Sequence, residues 1–119
     1  MQRQMMHGKI HRATVTEAQI DYPGSITIDQ KLMDGADILS HEKVLIANLT
    51  NGSRIESYAI PGPAGSGVIC LNGGAAKHGK AGDMVIILTF AVMSDAEAKK
   101  HKPKVVYVDA KNRIVKKKK

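Results

Sequence analysis

The chain has 119 residues, enough for one domain around a modest core. Its 43% hydrophobic and 24% charged residues match an ordinary globular domain and exclude a disordered chain before the last ten residues. The formal charge of +7 sits at one end: residues 1–98 are net −2 and residues 99–119 are net +9, so the basicity belongs to a terminal segment rather than to the folded body.

In chain order, residues 5–16 predict a long strand with an irregularity at Gly8, followed by a turn through Tyr22-Pro23-Gly24-Ser25. Residues 25–28 are a short β-branched strand, and Asp29 is placed to cap a helix over 30–36. Residues 44–47 and 54–60 flank Thr50-Asn51-Gly52-Ser53, a hairpin signal. A loop over 62–67 precedes a buried strand over 68–71 and a small-residue turn over 72–76. Residues 84–93 predict a central strand, apolar on both faces. Ser94-Asp95-Ala96-Glu97 is a capping box for a short helix to about His101, Pro103 stops it, and residues 105–108 form a last strand. Many short strands with one or two small helices predict a mainly β, closed or nearly closed barrel. Residues 1–109 are expected to form one domain, and 110–119 a mobile basic tail ending in four lysines.

The longest apolar run, 84–93, is about half of the ~20 residues a spanning helix needs. No apolar segment follows Arg3, so no secretory signal is expected. The single cysteine, Cys70, has no internal disulfide partner and reads as a buried structural thiol in a reducing cytoplasm. His7 and His11 are four apart, a metal-ligand spacing only on a helix, and the strand pattern there predicts no metal site.

Chemistry concentrates at Gly24-Ser25. Gly-Ser occurs three times, and Gly52-Ser53 and Gly65-Ser66 sit in ordinary turns. Gly24-Ser25 differs because it follows Tyr22-Pro23 and opens a strand. There the Ser25 hydroxyl would attack the Gly24 carbonyl and shift the amide to an ester. Glycine leaves the approach open and tolerates strained backbone angles. The oxyanion needs a hydrogen-bond donor. Elimination of the ester cleaves the chain, and hydrolysis of the resulting dehydroalanine at position 25 leaves a pyruvoyl group and releases ammonia.

The blocks Gly8-Lys9-Ile10-His11-Arg12, Tyr22-Pro23-Gly24-Ser25, Thr50-Asn51-Gly52-Ser53-Arg54, Ser57-Tyr58-Ala59-Ile60, Asn72-Gly73-Gly74-Ala75-Ala76 and Gly82-Asp83-Met84-Val85-Ile86-Ile87 are individually weak. In this order and in so short a chain they resemble bacterial aspartate 1-decarboxylase, up to about Asp109. The resemblance implies a double-psi β-barrel assembled as a homotetramer with active sites between subunits. It implies decarboxylation of L-aspartate to β-alanine for pantothenate and coenzyme A synthesis, with a pyruvoyl cofactor derived from Ser25 after cleavage between Gly24 and Ser25. Tyr58 would be the proton donor. Lys9 and Arg54 would hold substrate carboxylates, and Ser57, Asn72, Gly73, Gly74 and Ala75 would line or support the substrate site. Gly24, Ser57 and His11 would serve processing with Ser25, and a maturation factor is a partner the chemistry allows but does not require. Many members carry threonine at position 57, some carry tryptophan at 47, and alanine is commoner at 74; here these are Ser57, Ala47 and Gly74. None of these departures removes a charged or acid–base group.

The pyruvoyl ketone would condense with the aspartate amine to a Schiff base, an electron sink for the departing α-carboxylate. Arg54 would grip one carboxylate bidentately, and Lys9 is a point charge for the second carboxylate or the early intermediate. The alternative is a non-catalytic basic β-barrel that binds nucleic acid. It has the pI of 9.6 in its favour, but a net-negative body and only three Tyr and one Phe for base stacking.

Overall fold

The computed structural model describes residues 1–116, so the last three lysines of the expected tail lie outside the described residues. The described residues form nine strands: β1 (Gln2–Thr14), β2 (Glu17–Gln19), β3 (Ser25–Asp29), β4 (Lys43–Asn48), β5 (Arg54–Gly62), β6 (Ile69–Asn72), β7 (Met84–Ser94), β8 (Lys104–Val108) and β9 (Ile114–Val115). Two short helices, α1 (Gln30–Gly35) and α2 (Asp95–Lys100), and a 3-10 helix (Gly73–His78) complete them. The strands hydrogen-bond in the order β2-β6-β3-β5-β4-β7-β1-β8-β9. β1 pairs with β8, β2 with β6 and β3 with β5 in parallel; the other pairings are antiparallel. The segment after β1 bridges the residue before β7 and the start of β6: Val15 N donates to Asp83 O and Thr16 N to Ile69 O, both at 2.8 Å. The result is the mainly β double-psi barrel.

Strand alternation explains what lies inside. Ile10, Ala13, Ile26, Ile28, Ile46, Ile69, Leu71, Val85 and Ile87 point into one core, joined by Leu32 and Met33 from α1. These are inward positions of period-two strands, and each buried aliphatic contributes about 1.5–3 kcal/mol before entropy is counted. β1 carries register shifts at Met6/Gly8 and at Ile10/Ala13, where one irregularity is expected from the sequence; Arg12 takes φ 63° at the second. β7 is central, between β4 and β1, but its outer face is not buried throughout: Phe90 and Val92 are 42% and 64% exposed in the single chain. In the 50–53 hairpin loop Gly52 alone takes positive φ, because the Asn48 carboxamide accepts from Thr50 N and Asn51 N and holds Asn51 in ordinary backbone space. The capping box of α2 forms as the sequence predicts.

Residues 110–116 depart from the mobile segment expected over 110–119. Asn112 is 2% exposed; its Oδ1 accepts from Thr14 N, and its Nδ2 donates to Thr14 O and Gly67 O at 2.7–2.8 Å. That plug brings β9 against β8. Charge counting missed it because one buried carboxamide, satisfied on both ends, outweighs a run of solvated lysines.

Asp29 is the counterpart on the other side of the same loop. Its carboxylate accepts from Lys31 N, Gly65 N and Gly67 N at 2.8–2.9 Å, so it both caps α1 and holds the 62–67 loop. Burial pushes its carboxyl up, but the three amide donors and Lys31 outweigh that and hold it below the ordinary carboxylate value. A depressed folded pKa gives stability that is present above the unfolded value and lost as pH falls through the folded one. Asp29→Asn is therefore expected to lower stability at pH 7 by about 2–3 kcal/mol and to flatten the acid side of the stability curve, measured as urea midpoints between pH 3 and 7. An unchanged acid limb would remove Asp29 from that role.

Candidate active site

β3 and β6 place four polar side chains on the face opposite the core. Ile26 and Ile28 point inward, so Ser25 and Thr27 point the other way; on β6, Ile69 and Leu71 point inward and Cys70 and Asn72 the other way. The antiparallel register sets Ser25 opposite Asn72 and Thr27 opposite Cys70. Ser25, Cys70 and Asn72 are each only 5% exposed. Asn72 Nδ2 donates to Ser25 Oγ at 3.0 Å and to Thr27 Oγ1 at 2.9 Å, and Cys70 Sγ donates to Asn72 Oδ1 at 3.2 Å. Every polar end of the Asn72 side chain is used.

The turn after Asn72 closes on the residue before Ser25. Gly73 takes φ 58°, and a Cβ there would stand 2.6 Å from Tyr22 O and 2.7 Å from both N and Cα of Gly24. Only glycine allows that approach. It lays the start of the 3-10 helix against the Gly24 backbone. The helix replaces the simple turn expected over 72–76, and it carries Gly74 and Ala75 to the same place.

β5 supplies the other wall. Ile26 pairs with Ala59, so Ser57 and Tyr58 lie beside the start of β3. A cleft of about 460 Å³ is lined by Gly24, Ser57, Tyr58, Gly74, Ala75 and His78, among others. Tyr58 is 37% exposed, and the His41 ring stacks on it with centroids 6.0 Å apart at 16°. His41 N donates to Ala59 O at 2.7 Å, which fixes the stack to β5. Arg54 alternates onto the same side of β5 as Tyr58 and is exposed, about 13 Å along the strand.

Of the expected residues, Ser25, Arg54, Asn72 and Gly73 do not line the cleft, and Lys9 and His11 are farther away. Lys9 and His11 lie on β1, between β7 and β8, and neither lines the cleft. His11 packs edge-on to Tyr107 at 5.6 Å and lines a separate pocket of about 440 Å³ with Arg12, Tyr107 and Asp109. Its Nδ1 is buried without a partner. Burial, then the charges of Lys9 and Arg12, push the His11 pKa down. Among the described residues no group of three or more His, Cys, Asp or Glu is placed to hold a metal ion, and no helix is long and apolar enough to cross a membrane.

The sequence model of the family described as aspartate decarboxylase matches residues 1–115. The chain belongs to the aspartate decarboxylase family. The aspartate 1-decarboxylase of Heliobacterium modesticaldum is 56% identical over 115 residues, covering 97% of this chain and 87% of that protein. That of Listeria monocytogenes is 59% identical over 114 residues, covering 96% and 90%, and that of Carboxydothermus hydrogenoformans 59% over 112 residues, covering 94% and 88%. The enzyme class of the aspartate decarboxylase family, a carboxy-lyase, is the one the sequence motifs imply.

Within this aspartate decarboxylase barrel, reading the sequence alone missed Thr27, His41 and the hydrogen bond of Cys70. Thr27 and Cys70 carry a legible signal, since each is two residues from an expected site residue on a period-two strand. His41 carries none, because its stack on Tyr58 depends on the path of the loop before β4.

Proposed function

We propose that this chain decarboxylates L-aspartate to β-alanine and CO2 with a pyruvoyl group made from its own Ser25, supplying pantothenate and coenzyme A synthesis in the cytoplasm. The observation that carries the reading is the buried Ser25 hydroxyl, held by Asn72 directly after a Gly24 whose backbone is met by Gly73. A group formed in place needs its precursor serine fixed against the preceding carbonyl, and these residues fit that need. In processing, Ser25 Oγ bonds to the Gly24 carbonyl carbon, the Gly24–Ser25 amide bond breaks, and the proton from Oγ passes to the freed nitrogen. Elimination returns the Gly24 carboxylate, and water replaces the nitrogen at position 25, releasing ammonia.

Once formed, the pyruvoyl group supplies the electron sink for loss of the α-carboxylate. The chain's residues do the rest. Tyr58, in the cleft and aligned by His41, holds the proton that is delivered to the substrate Cα. Arg54 and Lys9 neutralise the two carboxylates, and Ser57, Asn72, Gly73, Gly74 and Ala75 form the wall. Lys9 and His11 lie away from the cleft in one chain, which supports a homotetramer whose neighbouring subunit supplies them. The exposed Phe90 and Val92 fit a buried contact in such an assembly.

Intact mass of the purified protein under denaturing conditions, followed by a β-alanine assay, tests the reading. The expected result is two pieces, 1–24 and 25–119, together heavier than the precursor by one water and lighter by one ammonia, with β-alanine formed from aspartate. Cleavage of the purified chain alone would make a maturation factor unnecessary. A single uncleaved chain that still forms β-alanine would overturn the pyruvoyl route.

A further inference from the structure

We propose that Cys70 is a positioning residue for chain cleavage, its thiol fixing which end of the Asn72 carboxamide faces Ser25. The inference rests on the self-cleavage reading and adds a residue to it. Asn72 has two possible orientations in its slot. In the one observed, Oδ1 accepts from Cys70 Sγ at 3.2 Å and Nδ2 donates to Ser25 Oγ and Thr27 Oγ1. Turned over, the carboxamide would offer its oxygen to the two hydroxyls and its NH2 to sulfur.

The two hydroxyls do not choose between these orientations, because each can donate or accept. The sulfur does. An S–H is a weak donor and a weaker acceptor, and an NH2 group set against it loses most of a hydrogen bond. Burial, then the charge of Glu17, push the Cys70 thiol up, so it is protonated and able to donate at neutral pH.

The choice matters chemically. With Nδ2 toward Ser25, Oγ accepts a hydrogen bond that favours the negative charge it bears as its proton leaves, and that proton is free to pass to the Ser25 nitrogen. With Oδ1 toward Ser25, the hydroxyl proton is tied to Asn72 and the attacking lone pair gains no support. The strand geometry makes this one unit: Cys70 and Asn72 are two apart on β6, and their cross-strand partners are Thr27 and Ser25.

The test follows conversion of freshly purified full-length precursor by intact mass over time, for the native chain and for Cys70→Ser, Cys70→Val and Cys70→Ala. Serine keeps a donor. Valine fills similar space without one and keeps the measurement meaningful if alanine unfolds the chain. Cys70→Val and Cys70→Ala are expected to cleave about tenfold more slowly than the native chain, the worth of one hydrogen bond in a barrier, and Cys70→Ser within about threefold of it. Equal cleavage of the serine and valine variants, beside a native chain that cleaves, would overturn the positioning role and leave self-cleavage standing. A native chain that never cleaves between Gly24 and Ser25 would overturn both.

Discussion

Ser25→Ala is expected to give a folded, single, uncleaved chain that forms no β-alanine. The substitution removes the hydroxyl proposed to attack the Gly24 carbonyl, so the loss is expected to be complete rather than graded. Folding should survive it. Ser25 follows the turn and starts β3, and its Oγ accepts one hydrogen bond from an Asn72 that keeps Thr27 and Cys70 as partners. The cost in stability is expected to be about 1 kcal/mol, the ordinary worth of one such bond. The check is intact mass with a thermal melt on the same sample. Pieces 1–24 and 25–119 from the alanine chain would sink the mechanism, because the alanine has no hydroxyl to attack the Gly24 carbonyl.

Tyr58→Phe is expected to separate cleavage from turnover. Phenylalanine keeps the ring that His41 stacks on and the packing of β5 against β3, so the chain should fold and cleave as the native chain does. It loses the phenol proton. General acid catalysis is worth about 10²–10⁴-fold, and kcat is expected to fall in that range with KM for aspartate little changed. Retained turnover in fully cleaved Tyr58→Phe would remove Tyr58 from the acid role and leave the pyruvoyl chemistry intact. Reading both variants together distinguishes a failure to make the site from a failure to use it.

These expectations depend on positions that the sequence reveals unequally. Gly24, Ser25, Ser57, Tyr58 and the run from Asn72 to Ala75 are legible as local blocks; the barrel brings Gly24, Ser57, Tyr58, Gly74 and Ala75 to one cleft and joins Ser25 to Asn72 beside it. They meet because β3 lies between β5 and β6, a crossover that no local pattern encodes. Lys9 and His11 belong to the same blocks of sequence yet lie on β1, beyond β4 and β7 in the sheet. The part proposed for them requires a neighbouring chain. The segment after Asp109 shows the opposite error. Its lysines suggest a solvated tail, but the buried Asn112 carboxamide binds Thr14 and Gly67, which are 98 and 45 positions away respectively.

The sequence by itself determined the elements and the reactive pair. Alternating apolar residues set the strands, Asp29 and Ser94 set the helix starts, and Gly24-Ser25 in its turn marked the bond proposed to be cut, because each of these is a property of a few adjacent residues. Only the tertiary structure decided that Ser25 and Thr27 face Asn72 and Cys70, that Gly73 abuts Gly24, that His41 lies on Tyr58 and that Asn112 closes the barrel's end. Those are contacts between segments far apart in the chain. Their register follows from which apolar faces must be buried together, a condition the whole core satisfies at once and no single stretch contains.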